Sequence, residues 1–525
     1  MSTSRAIWTF LAALTVVRLA LLGTSELSGD EAHYWMWSER LAPAYFSKGP
    51  GVAFVIRAST ALFGNNEFGV RFWSPILAAG TSLLLFYFAR RLFSAATGFW
   101  AVVALNVTPI FNIGSLVMTI DPLSIFFWTA AMCAFWLALE RTPEWTFWWP
   151  VAGLMTGLGF LCKYTNALEL ISIAVVLVLV PRLRREWKGA GIYSLFGVFA
   201  LCTPPPIVWN SQHAWITLAH LRSRGSLDEA PGFHPLELLA YLGEHFATYS
   251  PLLFLGLVVA VWANRRRFRQ QFKVLFLVWF GLPVFLFYLL LSCNKAAAPN
   301  WDGLAFLSLS VLAVSYWRER SESHPGLGRW VTGALLLALA MSAIALDSDI
   351  LRSLGIDADR TDPSVRLRGW RSAAAAVEKI RDEVEKDSGA RPFVIADERD
   401  RASEFSFYFR DHRVEGASHP PVYIVESQDM VNQFSFWPRY DQFVPLPTGT
   451  AHPEGEVYTE ESGVNPFLGR NALFIQANGR ERIAHNIRVA FESTDQIATI
   501  EVRRFGRVIR ELQVYLCRNY RTLPL

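Results

Sequence analysis

From the N-terminus to about residue 346, long apolar runs alternate with short charged patches; beyond that point the alternation stops. A helix needs about 20 consecutive apolar residues to cross the hydrocarbon core of a bilayer. On that measure the pattern predicts spans near 6–22, 72–89, 95–112, 122–139, 147–162, 165–181, 190–208, 238–262, 271–292, 303–317 and 330–346. The stretch 51–63 is apolar but short and carries Arg57, which fits a helix lying in the membrane interface better than a span. The tail opens with a polar helical stretch at 370–386, followed by strand-like pieces at 393–396, 422–425, 472–476 and 497–502. The expected fold is therefore mainly α. A polytopic transmembrane bundle of roughly eleven spans, with interfacial helices, occupies 1–346, and a small soluble α/β domain occupies 347–525.

Composition sharpens this division without changing it. Of the 525 residues 52% are hydrophobic and only 18% charged, against about 25% charged in ordinary soluble domains. A net charge of +4 over this length is no signal for nucleic acid. Four of the five cysteines lie in apolar runs, so the tail, with Cys517 alone, has no internal disulfide. The first run lacks a small-residue cleavage site and is expected to remain as a signal anchor.

Charge placement gives the orientation. Lys and Arg concentrate at 90–91, 141, 181–188, 264–273 and 318–329, which should be the cytoplasmic loops. The opposite loops, 25–71, 112–121, a break near Lys163, 209–237 and 292–302, are richer in Trp, Tyr and His. An odd span count places the N-terminus in the cytoplasm and the tail outside, in the periplasm if the membrane is a bacterial inner membrane. An even count moves the tail inside.

The same outer loops hold the candidate chemistry. Asp30, Glu31 and His33 lie in GDEAHYW (29–35), and Tyr45 and Lys48 in AYFSKGP (44–50). Paired carboxylates beside a span are suited to acid–base work on a lipid head group, although a solvated loop with aromatic anchors looks the same. Asp121 opens a span in TIDP (119–122), where it reads equally well as a helix N-cap with Pro122 following. Lys163 sits between two apolar runs at membrane depth, where an ionisable group is a functional candidate unless it snorkels. Arg18 is placed to snorkel, and Glu169 to pair with a basic neighbour. Arg222 and Arg224 belong to a loop whose histidines match no metal-ligand spacing. Cations can stabilise a phosphate leaving group, and a carboxylate can orient and deprotonate an incoming hydroxyl.

In these residues the sequence resembles the GT-C superfamily of polyprenyl-phosphate-sugar-dependent glycosyltransferases. The nearest branch holds the lipid A aminoarabinose transferases, the rhizobial lipid A galacturonosyltransferases and, further off, protein O-mannosyltransferases. The resemblance runs in order from about residue 18 to 317 through Asp30-Glu31, 45–50, 66–71, MTIDPLSIFFW (118–128), 157–165, PIVWNSQHAW (206–215) and Asn300-Trp301. The tail matches only at ADERDRASEFSFYF (396–409). The resemblance implies that Asp30 and Asp121 are the two catalytic carboxylates. It implies that Lys48 holds the lipid phosphate and that Lys163 lines the same cavity, with Glu31, His33, Tyr45, Arg222 and Arg224 contacting substrate. His33 stands where the aminoarabinose enzymes carry Arg. The implied reaction is an inverting transfer from a polyprenyl-phosphate sugar to a lipid A, glycan or protein acceptor on the outer face. No cofactor is implied with certainty, and a divalent metal would have only the Asp-Glu pair as ligands. A transporter or flippase of a lipid-linked substrate is the alternative, but no internal repeat supports it. A non-catalytic membrane protein is a third reading, against which Asp30, Lys48 and Asp121 stand.

Overall fold

The computed structural model describes residues 3–228, 232–353, 363–410, 412, 414–416, 418–442, 444–445, 463–479 and 483–522. The chain forms two compact units, one of Met1–Thr24 and Leu41–Ser364, the other of Ser25–Arg40 and Val365–Leu525.

The first unit is helical. Among the described residues four helices are long and apolar enough to cross a membrane: Glu67–Leu92, Ile120–Glu140, Phe272–Leu291 and Pro325–Leu346. Three bent pairs raise the number to seven if each pair is one span, and Gly51–Phe63, Ala95–Asn106 and Trp148–Cys162 are shorter apolar helices. Several runs that read as continuous in the sequence are broken. The 238–262 run turns by 112° between Tyr249 and Pro251, where Ser250 has a φ of 72°. The 190–208 run bends by 42° before Pro204, and the 95–112 run stops at Asn106 and restarts at Pro109. Each new helix begins on a proline, which has no N–H to continue the preceding one. Phe135, Phe276 and Phe280 stack at the centre of the unit, beside Trp136 and Trp149.

Two buried charges behave differently from their expected roles. Arg18 does not snorkel; it is 2% exposed and donates to Asn106 Oδ1 and Asn112 Oδ1 at 2.9 and 3.2 Å. Glu169 accepts from Thr156 Oγ1 at 3.2 Å, and no base pairs with it among the described residues.

The second unit is built on a five-stranded mixed sheet in the order Tyr423–Ile424, Phe393–Ala396, Ala472–Ala477, Arg507–Tyr520, Phe491–Arg504. The first three strands are parallel and the last two antiparallel. The long closing hairpin turns at Phe505-Gly506, with φ of 49° and 80°; the glycine accepts that left-handed backbone without strain. Phe393, Tyr423, Tyr440, Phe467 and Phe474 form the core. Helix Gly29–Ser38, from the loop after the first apolar run, belongs to this unit, a grouping that a linear division at residue 346 does not make.

Candidate active site

Helix Ile120–Glu140 starts under a cap, but the cap is not Asp121. Thr119 Oγ1 accepts the Asp121 N–H at 3.2 Å, so Asp121 stands in the first turn with its carboxylate uncommitted to the backbone. That carboxylate meets Lys163: Nζ is 2.8 Å from Oδ1. Asn300 Nδ2 donates to Oδ2 at 2.8 Å, and Asn300 O accepts from Lys163 Nζ at 3.3 Å. The three groups close a ring in which every polar contact is charge-assisted or to a carbonyl. The side chains of Lys163 and Asp121 are 9% and 21% exposed.

Lys163 is aimed by a break in the helical backbone. It is a single extended residue, φ −144°, between helix Trp148–Cys162 and a 3₁₀ turn at Tyr164–Ala167. Asn166 holds this break to the Asp121 helix. Its Oδ1 accepts from Ser124 Oγ at 2.5 Å, and its Nδ2 donates to Ser124 O at 3.1 Å. Position 159 must be glycine, because a Cβ there would lie 2.3 Å from Asn166 Nδ2.

The tight turn that carries Lys48 packs against the residues just before Lys163. Tyr45 and Lys48 exchange backbone hydrogen bonds at 3.0 and 3.4 Å. The following Gly49 and Gly51 pack on Leu161 and Cys162, the residues just before Lys163. A Cβ on Gly49 would come 2.2 Å from Leu161 O, and one on Gly51 would come 2.4 Å from Cys162 Sγ. Tyr45 is fully buried, its O accepting from Thr217 Oγ1 at 3.5 Å, and Phe46 lies against the His220 ring at 4.7 Å. Both partners sit on helix Ile216–Arg224, which carries Arg222 and Arg224, both exposed. The Arg224 guanidinium lies 5.1 Å over the ring of Trp301, next to Asn300. Contacts thus link Tyr45, Lys48, Lys163, Asp121 and Arg224 into one neighbourhood of the first unit.

A cavity of about 190 Å³ opens beside this ring, lined by Asp121, Asn300, Thr108, Thr119 and Tyr249. A larger, mostly apolar cavity of about 630 Å³ shares Leu105, Thr108, Tyr249 and Phe306 with it. Asp302 anchors the Asn300 loop from below. It is fully buried, and its Oδ2 accepts from Tyr241 Oη at 2.5 Å and pairs with His245 Nε2 at 2.9 Å. Sequence reading did not single out Asp302, His245, Ser124 or Asn166 as site residues, and no local pattern marks them.

Asp30, Glu31 and His33 lie in the second unit, on helix Gly29–Ser38. Glu31 forms a capping box with Ser28: its Oε2 accepts from Ser28 N at 2.9 Å, and Ser28 Oγ accepts from Glu31 N at 3.3 Å. His33 is buried, its Nδ1 3.1 Å from Ser403 Oγ, its Nε2 accepting from Trp37 Nε1 at 3.2 Å, its ring stacked on Phe434. Burial, and then the nearby Arg399 charge, hold its pKa well below the usual histidine value, so the imidazole is neutral. Asp30 is half-exposed and receives Arg399 Nη2 at 2.9 Å. Among the described residues no three His, Cys, Asp or Glu side chains converge in a way that could hold a metal ion.

The model of the dolichyl-phosphate-mannose-protein mannosyltransferase family matches residues 47–209, the stretch from the Lys48 turn through Asp121 and Lys163. Lipid A galacturonosyltransferase RgtD of Rhizobium johnstonii is 29% identical over 54% of this chain and 59% of its own length. The undecaprenyl phosphate-α-4-amino-4-deoxy-L-arabinose arabinosyl transferase of Edwardsiella ictaluri is 27% identical over 63% of this chain and 59% of its own. The chain spans about 59% of the length of these curated relatives. The crystal structure of ArnT from Cupriavidus metallidurans in the apo state superposes with a TM-score of 0.62 at 16% identity, over 98% of both chains. The same enzyme bound to undecaprenyl phosphate gives 0.61 at 17%. The chain is similar in sequence to these transferases and shares the fold of ArnT. Its GT-C fold is the helical bundle with a small C-terminal sheet domain anticipated from the apolar pattern.

Proposed function

We propose that this chain is a glycosyltransferase of the GT-C superfamily that moves a sugar from a polyprenyl-phosphate carrier to a lipid A, glycan or protein acceptor. The observation that carries the reading is the Lys163–Asp121–Asn300 ring beside a cavity, with the Lys48 turn seated on the residues before Lys163. The names of the relatives, both lipid-linked sugar or lipid A transferases, point the same way.

In this reading the bond from the anomeric carbon to the phosphate oxygen breaks, and a bond to the acceptor oxygen forms on the opposite face. The phosphate departs as an anion and needs charge stabilisation rather than a proton. Lys163 and Lys48 supply it from a poorly solvated wall, where an ammonium acts more strongly than in water. Asp121 holds Lys163 in place, and Asn300 holds Asp121. The acceptor's hydroxyl proton goes to a carboxylate, for which Asp30 is the proposed base. Glu31 and His33 serve the fold of the helix that carries Asp30. Arg222, Arg224 and Tyr45 are proposed substrate contacts. The bacterial inner membrane is the proposed location, with the N-terminus cytoplasmic and the second unit periplasmic.

The test is reconstitution of the full chain in liposomes with undecaprenyl-phosphate sugars and lipid A, read by mass spectrometry. The expected result is a mass increase of one sugar on the acceptor and release of undecaprenyl phosphate. Absence of transfer across a panel of uronic, amino and neutral sugars, with lipid A, glycan and peptide acceptors, refutes the proposal.

A further inference from the structure

The one segment of the tail that stood out in the sequence, residues 396–409, has no role in the reading above. In the structure it forms helix Arg399–Tyr408 and its approach from strand Phe393–Ala396. Arg399, Ser403 and Tyr408 contact helix Gly29–Ser38 and Leu27 just before it, in the same unit. Ser403 Oγ meets His33 Nδ1 at 3.1 Å, and Tyr408 Oη accepts from Leu27 N at 2.7 Å. Gly29 lies so close that a Cβ on it would be 2.6 Å from Asp400 Cβ. Further contacts secure the two ends of the 25–40 stretch to other parts of the same unit. Glu26 accepts from the N–H groups of Trp370 and Arg371 at 2.5 and 3.3 Å, and Arg40 donates to Ser418 O and His419 O at 3.0 and 2.6 Å.

Between these anchors, Arg399 connects the two helices through charge. Its Nε donates to Asp400 Oδ1 at 2.8 Å, and its Nη2 lies 2.7 Å from that same oxygen and 2.9 Å from Asp30 Oδ1. The guanidinium is planar, so fixing it on Asp400 fixes the direction in which it meets Asp30. Asp30 Oδ2 takes no hydrogen bond from any described residue. The carboxylate is therefore held by one oxygen and open at the other.

We infer that Arg399 is a positioning residue for the Asp30 carboxylate, and that the 396–409 segment is the clamp that holds this carboxylate in place. The inference rests on the proposed transferase reading and on Asp30 as its base. Arg399 gives the carboxylate a single rotamer, with Oδ1 engaged and Oδ2 presented to the acceptor hydroxyl. An ion pair this exposed adds little to folding stability, so its effect is expected in rate rather than in melting temperature. A base displaced by about 1 Å loses on the order of 100-fold in rate.

The experiment measures kcat and KM for the lipid-linked sugar in the reconstituted full chain, together with thermal stability, for R399A, R399K, D30N and R399A/D30N. The inference expects kcat of R399A to fall about 10- to 100-fold at nearly unchanged KM and melting temperature. R399K should recover part of that loss, since it keeps the charge and loses the fork. In the D30N background, R399A should lower the residual rate no further. An equal fold-loss from R399A in both backgrounds makes Arg399 merely structural and overturns the inference, as does full activity of R399A. If R399A does not fold, R399K and R399K/D30N carry the same comparison. Full activity of D30N is a separate result: it removes Asp30 from the reaction and overturns the base assignment on which the inference stands.

Discussion

Lys163 Nζ lies 2.8 Å from Asp121 Oδ1, across 42 residues of sequence, in a wall where the lysine side chain is 9% exposed. A lysine left alone there would be costly to desolvate, and an aspartate alone would have lost its ordinary helix-capping use to Thr119. Each makes the other tolerable, and Asn300 ties both to the loop before helix Ala305–Ser323.

Breaking that pair from either side is expected to be worse than removing it. Lys163→Met or Asp121→Asn should lower stability by roughly 3 kcal/mol and activity by about 100- to 1,000-fold. The double variant K163M/D121N should be more stable than K163M alone, yet equally inactive. Thermal unfolding in detergent with the transfer assay checks this; strictly additive stability losses would show that the two groups are not coupled.

Gly49→Ala tests the seat of the Lys48 turn. The added methyl would meet the Leu161 carbonyl at 2.2 Å, and a backbone oxygen cannot swing aside. The expected outcome is a loss of about 1–3 kcal/mol together with a raised KM for the lipid-linked donor. A variant with wild-type stability and KM would separate the turn from donor binding.

Glu31 offers a test of structural against substrate roles. Glutamine preserves the capping box, so Glu31→Gln should keep both stability and rate, whereas Glu31→Ala should lose about 1 kcal/mol. If E31Q is stable but inactive, the carboxylate charge acts on substrate after all.

Glu404 sets an expected pH dependence. It is fully buried, and neither carboxyl oxygen has a hydrogen-bond partner among the described residues. Burial holds its pKa well above the usual carboxylate range; Arg510 opposes this, and Glu31, Glu26 and Asp400 reinforce it. The folded protein therefore keeps a proton that the unfolded chain releases above about pH 4.5. Stability is greatest below that pH and declines as pH rises toward the folded-state value. Glu426, pushed up to about 8 chiefly by burial, acts in the same direction. Melting temperatures from pH 5 to 8 should fall for the wild type and fall less steeply for Glu404→Gln; identical slopes would contradict the assignment.

What the sequence determined by itself is the part of the design that the solvent imposes locally. Backbone in hydrocarbon must satisfy its own hydrogen bonds, as a helix does residue by residue, and most of its side chains are apolar. The bundle, its separation from a polar tail, and the anomaly of Lys163 between two apolar runs could therefore be read residue by residue. So could Asp121 and Lys48, through the ordered motifs around them. Proline placement shortened several of the expected spans, because a single residue broke runs whose hydropathy is continuous. Tertiary structure alone decided which charge meets which. The closure of Lys163 on Asp121 and Asn300, the burial of Asp302 on His245 and Tyr241, and the assignment of helix Gly29–Ser38 to the unit formed by the tail are long-range pairings. Such pairings leave no periodic trace in sequence, since only the packed backbone brings their partners within hydrogen-bond distance.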